Sequence, residues 1–266
     1  MTSTERRPTT RVVRTRAELG DALADVPRPL GLVPTMGWLH AGHRSLMQRA
    51  RADNATTIAT IFVNPRQFNE AADYLRYPRN EARDLAICEE EGIDLVFAPD
   101  VDEVYPPGFD TVVSVGAVAR PLEGAARPGH FDGVATVVLK LFNRLRPDIA
   151  YFGQKDAQQL AVIRRMTADL DLGVEIRAVE TVREPDGLAI ASRNAYLSPE
   201  ERRRASSLHR ALVARDPGLV EGDVDYLAVV DADTFLEVEP RPGALVIGAA
   251  RFGSTRLIDT IRIEDR

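Results

Sequence analysis

Leu30-Gly-Leu-Val-Pro-Thr-Met-Gly-Trp-Leu-His-Ala-Gly-His43 carries a short apolar run directly into the start of a helical pattern. Residues 30–34 predict a strand, and residues 42–53 predict the helix that follows it. Four more apolar runs repeat the theme, at 58–63, 94–97, 149–152 and 174–179, with helical patterns at about 79–91, 133–146 and 156–171. Strands that are apolar on both faces and alternate with helices imply a parallel sheet built from βαβ units. The fold class is therefore α/β.

Residues 100–130 interrupt the alternation. They are rich in Pro and Gly and hold one strand-like run, 111–115. They read as an insertion at the carboxyl edge of the sheet. After about residue 181 the pattern changes. Ser198-Pro-Glu-Glu201 combines a capping serine, a proline at the first helical position and a glutamate that completes a capping box. This predicts one helix from 198 to about 215, followed by strands near 226–230, 245–250 and 256–263. The expected organisation is a Rossmann-like domain over 1–181, its parallel sheet covered by helices on both faces. A small C-terminal α+β domain is expected over 182–266.

Composition narrows the function. Lys plus Arg is 34 against 40 for Asp plus Glu, a formal net charge of −6. That balance opposes broad nucleic-acid binding but leaves room for a local basic pocket. No apolar run approaches the roughly 18 residues of a membrane helix. Met1-Thr-Ser-Thr-Glu-Arg-Arg-Pro8 lacks the apolar core of a secretory signal. A single cysteine, Cys88, excludes an internal disulfide, and with four histidines it argues against structural zinc. The expected setting is cytoplasmic.

The candidate chemistry sits at strand ends, where open α/β sheets bind ligands. His40 and His43 are three apart at a helix start, with Gly42 leaving space between them. Free N–H groups there favour phosphate, and imidazoles can stabilise charge on a leaving pyrophosphate. Neither a P-loop nor a G-x-G-x-x-G fingerprint occurs in the chain. Asn64 and Gln67 close the second strand with amides that can read a hydroxyl and a carboxylate. The fourth strand ends in Gly153-Gln-Lys-Asp-Ala-Gln-Gln159. In it Lys155 adds charge, Asp156 is the expected helix N-cap and Gln159 faces the crevice. Ser192-Arg193-Asn194 reads as a mobile loop with phosphate-binding groups. Glu89 to Glu91 and Arg202 to Arg204 read as solvated helix faces, Cys88 as core and His209 as a mid-helix residue without partners. His130 stands out because it ends the insertion expected to overhang the crevice.

His40-Ala-Gly-His43 resembles the HxGH signature of class I nucleotidyltransferases and aminoacyl-tRNA synthetases. The longer string from Val33 to His43 is similar to the pantoate–β-alanine ligase (pantothenate synthetase) family. So are Phe62-Val-Asn-Pro-Arg-Gln-Phe68, Arg127-Pro-Gly-His-Phe-Asp-Gly-Val134, Tyr151-Phe-Gly-Gln-Lys-Asp-Ala-Gln-Gln159 and Ser192-Arg-Asn-Ala-Tyr-Leu-Ser198. The resemblance spans about residues 11–210 and resumes at 251–259.

It implies ATP-dependent condensation of (R)-pantoate with β-alanine through pantoyl-adenylate, releasing pyrophosphate and AMP. The implied catalytic set is His43 as proton donor, His40 as its partner, and Lys155. The implied ATP site comprises Met36, Gly37, Trp38, Leu39, His40, Ala41, Gly42, His43, Gly153, Gln154, Lys155, Asp156, Val182, Ile190, Ala191, Ser192 and Arg193. Gln67 and Gln159 would hold pantoate, Gln67 would also serve β-alanine, and Asn64, Tyr77 and Arg127 would lie around them. Asp84 is implied beside a magnesium ion, and the assembly is implied to be a homodimer. Two departures stand out: Ala191 where the family usually has a serine, and a short stretch between 215 and 226 where the family usually has another helix. The competing readings are an adenylyl- or cytidylyltransferase with a phosphate-bearing acceptor, and a nucleotide-binding module without catalysis.

Overall fold

The first strand predicted above takes its place near the middle of a six-stranded, all-parallel sheet. The structure, a computed structural model, describes residues 9–264. The reading of Met1 to Pro8 falls outside those residues. In chain order the first half holds β1 (Arg11–Val13), α1 (Arg16–Leu23), β2 (Leu30–Thr35), α2 (Ala41–Asp53), β3 (Thr56–Ile61), α3 (Ala71–Arg76), α4 (Glu81–Glu90), β4 (Leu95–Phe97) and α5 (Val101–Val104). There follow α6 (Glu123–Ala126), α7 (His130–Leu145), β5 (Ile149–Gly153), α8 (Ala157–Asp169), β6 (Glu175–Val179), α9 (Pro199–Ala205), α10 (Ser207–Ala214), β7 (Asp223–Val230), β8 (Leu245–Phe252) and β9 (Thr255–Arg262).

The large sheet has the order β1-β4-β3-β2-β5-β6. From β2 the chain steps to β3 and β4 on one side, then returns to add β5 on the other. The connection therefore reverses between β2 and β5, which opens a crevice beyond their carboxyl ends. Alternate residues of β2 feed two apolar layers. Leu30 and Leu32 face one with Ile58, Phe142 and Ile163, while Val33 faces the other with Met47, Ala59 and Val96. Burying a side chain such as Leu32 contributes about 1.5–3 kcal/mol.

β7, β8 and β9 form a separate antiparallel sheet. Leu208 and Leu212 of α10 approach it at Gly248. The sheet touches the large one's crevice through β9, where the Thr260 hydroxyl donates to the Lys155 carbonyl at 3.0 Å.

The α/β class and the small α+β sheet were readable from the sequence; several details differ. β1 and α1 were not anticipated. β1 has three residues, too few to show a period, although Thr15 and Glu18 form a capping box at α1. Residues 111–115 form no strand. Their backbone turns to α7 instead, the Val113 amide donating to the Thr136 hydroxyl at 2.9 Å. The capping box at Ser198 is present, but the expected single helix breaks at Ser206, whose hydroxyl bonds back to the Arg203 carbonyl at 3.0 Å. Between α10 and β7 the chain makes only the short 3-10 turn Pro217–Leu219. Asp156 occupies the N-cap position of α8, yet its side chain makes no capping bond and pairs with Lys155 instead. His209 Nδ1 is buried without a hydrogen-bond partner among the described residues, as expected, with an Asp259 oxygen 3.7 Å away. The Glu89 to Glu91 face is only partly solvated, because Arg44 binds both Glu90 and Glu91.

Candidate active site

The turn after β2 is held by one buried carboxylate. Gly37 and Trp38 both take positive φ, 79° and 50°, which brings two successive amides to face α4. Asp84 accepts from the Trp38 N–H and the Leu39 N–H, each at 2.8 Å. A Cβ on Gly37 would stand 2.9 Å from the Asp84 Oδ2, so glycine serves both the backbone angle and the close approach. Asp84, expected beside a magnesium ion, has a scaffold role here. It is buried, and each of its oxygens accepts one amide of the histidine turn.

That anchoring delivers His40 and His43 at the start of α2, their rings 4.0 Å apart. The His40 backbone N–H donates to His43 Nδ1 at 3.3 Å. A nitrogen that accepts cannot carry the proton, so the neutral His43 ring bears its hydrogen on Nε2. Burial pushes His43 from 6.5 down to about 3, helped by the neighbouring His40. Burial and then Lys155 push His40 down to about 4. Both rings are neutral hydrogen-bonding groups near pH 7. His40 Nδ1 is buried and has no hydrogen-bond partner among the described residues.

Opposite the histidines, β3 ends in an amide cluster. Asn64 Nδ2 donates to Gln67 Oε1 at 3.0 Å and to the Gly133 carbonyl at 3.1 Å. Gly133 lets α7 come this close: a Cβ there would lie 2.2 Å from the Arg66 carbonyl oxygen. The Gln67 carbonyl is held in turn by His130 Nδ1 at 2.8 Å and Arg127 Nη2 at 3.2 Å. Arg127 Nη1 sits 3.1 Å from His130 Nε2. A guanidinium only donates, so His130 is neutral and carries its proton on Nδ1. Burial and then Arg127 push its pKa down to about 4. Burial also lowers Arg127, to about 10.

The end of β5 supplies Lys155 Nζ, 3.3 Å from Asp156 Oδ1. The loop after β6 closes the site from the other side. Arg193 pairs with Asp73 of α3 at 3.2 Å, and the Tyr196 hydroxyl donates to the Arg76 carbonyl at 3.0 Å.

These segments surround one cleft of about 960 Å³, wide enough for a nucleotide and a small acid together. With neutral imidazole donors and a lysine on one wall and side-chain amides on the other, the cleft can hold an anion beside a small polar acid. The family described as Pantoate-beta-alanine ligase matches residues 11–262. The chain belongs to that family.

Pantothenate synthetase from Roseiflexus sp. (strain RS-1) is 54% identical over 276 residues, covering 96% of this chain and 99% of that protein. A crystal structure of the Thermus thermophilus pantoate–β-alanine ligase superposes with a TM-score of 0.92 at 47% identity, covering 96% of this chain and 100% of that one. A Francisella tularensis pantoate–β-alanine ligase, solved with "Beta-gamma ATP" and β-alanine, gives 0.84 at 29% identity, covering 95% and 97%.

Set against the family's pattern, most sequence-derived site residues converge. Met36, His40, Gly42, His43, Gly153, Lys155, Asp156, Val182 and the run from Ile190 to Arg193 all line the cleft. So do Asn64, Gln67, Tyr77, Arg127 and Gln159. Gly37, Trp38, Leu39 and Ala41 support the turn rather than form the lining, and neither Gln154 nor Asp84 belongs to the lining.

Sequence reasoning missed a buried cluster at the back. Arg256 of β9 grips Glu123 of α6 with two bonds, 2.9 and 2.6 Å, and the Tyr226 hydroxyl donates to the same carboxylate at 2.8 Å. Arg256 holds the Glu123 carboxyl below the usual range, against the burial that would raise it. These partners are 103 and 133 residues apart in the chain, so no local signal announces them.

Proposed function

We propose that the chain condenses (R)-pantoate with β-alanine at the expense of ATP, through pantoyl-adenylate. The observation that carries this reading is the opposition of two walls across one crevice. His40, His43 and Lys155 offer donors and charge suited to a triphosphate. Asn64, Gln67 and Gln159 offer amides suited to a hydroxyl and a carboxylate. The Francisella relative's complex with "Beta-gamma ATP" and β-alanine supports the same assignment.

The chemistry needs alignment more than a nucleophilic side chain. A free carboxylate acylates poorly because its leaving group would be oxide. In the first step a pantoate carboxylate oxygen bonds to the α-phosphorus, and the bond to pyrophosphate breaks. In the second the β-alanine amine bonds to the acyl carbon, AMP leaves with the C–O electrons, and the amine gives up its proton. The site must hold the reacting atoms together and stabilise charge on pyrophosphate as it departs. In this reading His43 donates a hydrogen bond through Nε2–H, and its low pKa makes it an electrostatic partner of the phosphates rather than a proton donor. Lys155 adds positive charge. Arg193 would exchange Asp73 for a phosphate.

Magnesium that accompanies a nucleotide is usually held by the phosphates, by water and by one or two carboxylates rather than by a protein-built cage. Among the described residues no group of three His, Cys, Asp or Glu is placed to hold a metal, and Asp84 is committed to backbone amides. The reading therefore assigns magnesium no protein-built site here and routes no step through it. The homodimer, the cytoplasmic setting and the division into 1–181 and 182–266 belong to the same proposal, and sedimentation tests the first of them.

The deciding experiment supplies ATP, magnesium and pantoate without β-alanine. Labelled pyrophosphate should exchange into ATP, and should not do so when pantoate is left out. Pantothenate formation without such exchange would overturn the adenylate route.

The walls should also separate by mutation. Gln67→Ala and Gln159→Ala each remove amide contacts from the acid wall only. Pantoate affinity should fall by about tenfold or more, a loss of roughly 1.5 kcal/mol or above, while ATP affinity stays within about twofold. Calorimetric titration of each ligand checks this, and equal losses for both would point to general damage.

A further inference from the structure

The orientation of a side-chain amide decides whether it offers hydrogen to a substrate or accepts it, and here the orientation of Gln67 is fixed from behind. Asn64 lies between two backbone groups with opposite demands. The Arg66 N–H, which can only donate, faces Asn64 Oδ1 at 3.2 Å. The Gly133 carbonyl, which can only accept, faces Nδ2 at 3.1 Å. The oxygen and nitrogen of Asn64 are thus assigned by the main chain itself. Nδ2 also meets Gln67, so the Gln67 atom at 3.0 Å must be its acceptor, Oε1. Gln67 Nε2 is then turned away from the cluster, makes no hydrogen bond to protein among the described residues, and belongs to a residue of the cleft lining. The side chain therefore keeps its N–H groups available to the substrate.

A third residue closes this chain. The Tyr105 hydroxyl donates to Asn64 Oδ1 at 2.9 Å in a buried setting. Its ring is packed between Phe62 and Phe109, with Arg66 over its face. Tyr105 itself does not line the cleft. It follows α5 in the stretch that the sequence shows only as an insertion, 41 residues from its partner.

We infer that Tyr105 is a positioning residue that tunes substrate specificity: its hydroxyl reinforces the main-chain assignment of Asn64 and so steadies Gln67 with its N–H groups toward the cleft, favouring a carboxylate over a neutral carboxamide. A carboxylate offers lone pairs alone to such a face. A carboxamide meets it with one neutral oxygen, a weaker acceptor than an ionised carboxylate oxygen. This rests on the pantoate reading above and deepens it.

Tyr105→Phe tests the inference, since it keeps the ring and its packing and removes one hydroxyl. Pantoate-dependent ATP–pyrophosphate exchange gives KM for each substrate, and inhibition by the carboxamide analogue of pantoate gives the discrimination. With the Arg66 N–H still in place, KM for pantoate should rise by about three- to tenfold, the loss of one neutral hydrogen bond. KM for ATP should stay within about twofold, and the preference for carboxylate over carboxamide should shrink. A purely structural role would not move that preference. Unchanged pantoate KM and unchanged discrimination would overturn the inference, as would equal rises in KM for pantoate and ATP. Failure of the wild-type protein to show pantoate-dependent exchange would instead refute the function reading, so the two failures are distinct.

Discussion

Replacing His43 by alanine should lower kcat by about 10²–10³, a loss of roughly 3–4 kcal/mol, with much smaller changes in KM. The expectation follows from a hydrogen atom whose position is fixed. Because the His40 N–H donates to His43 Nδ1, the remaining proton sits on Nε2 and can meet an oxygen that gains charge as pyrophosphate leaves. A donor that finds its partner only as charge develops acts on the transition state more than on the ground state. His43→Gln, whose amide can place an N–H near the Nε2 position, should recover part of the loss. Pre-steady-state measurement of adenylate formation checks both variants. A near-normal rate for His43→Ala would reduce the histidine pair to a helix start.

The same burial has a consequence for stability. His40, His43 and His130 are held neutral in the fold, at about 4, about 3 and about 4, against 6.5 for an unburied imidazole. As pH falls below 6.5 the unfolded chain takes up these protons while the native protein does not. Stability is thus fully present above that value and is lost as pH drops toward 4. Urea midpoints of the ligand-free protein should decline steadily from pH 7 to pH 5. A flat profile across that window would contradict neutral rings at these three positions.

Where the sequence was informative, the information was local. The apolar runs that became β2, β3 and β5 and the polar residues at their ends lie within a few positions of one another, and a parallel sheet forces such ends onto one edge. His40, Gln67 and Lys155 were therefore legible together. What escaped was whatever depends on a partner distant in sequence and carries no period of its own. Tyr105 behind Asn64 is one case, and Arg256 on Glu123 is another. His130 drew notice by position, but its tautomer emerges only from the geometry of Arg127 and the Gln67 carbonyl. Asp84 is a third case. The family resemblance placed it beside a metal, but its scaffold role was not visible, because the two amides that bond its oxygens lie 45 and 46 residues earlier in the chain.

Asp84 therefore supplies a second large effect, and one that separates the two roles. If its carboxylate anchors the histidine turn, Asp84→Ala strands the Trp38 and Leu39 amides in a buried site and removes the group that stabilises a backbone with two successive positive φ values. Each stranded amide costs about 1–3 kcal/mol, so the variant should lose roughly 3–5 kcal/mol in all, lowering Tm by roughly 10 °C for a chain of this size. Asp84→Asn keeps one acceptor and turns an N–H toward the other amide, so its loss should be nearly as large. A magnesium ligand predicts a different pattern: the protein without nucleotide would be little destabilised, and the magnesium concentration needed for half-maximal activity would rise. Thermal unfolding without ligand, set beside a magnesium titration of the residual activity, distinguishes them. A fall in Tm with an unchanged magnesium midpoint places Asp84 in the scaffold that aims His40 and His43. An unchanged Tm with a raised midpoint would return it to the metal.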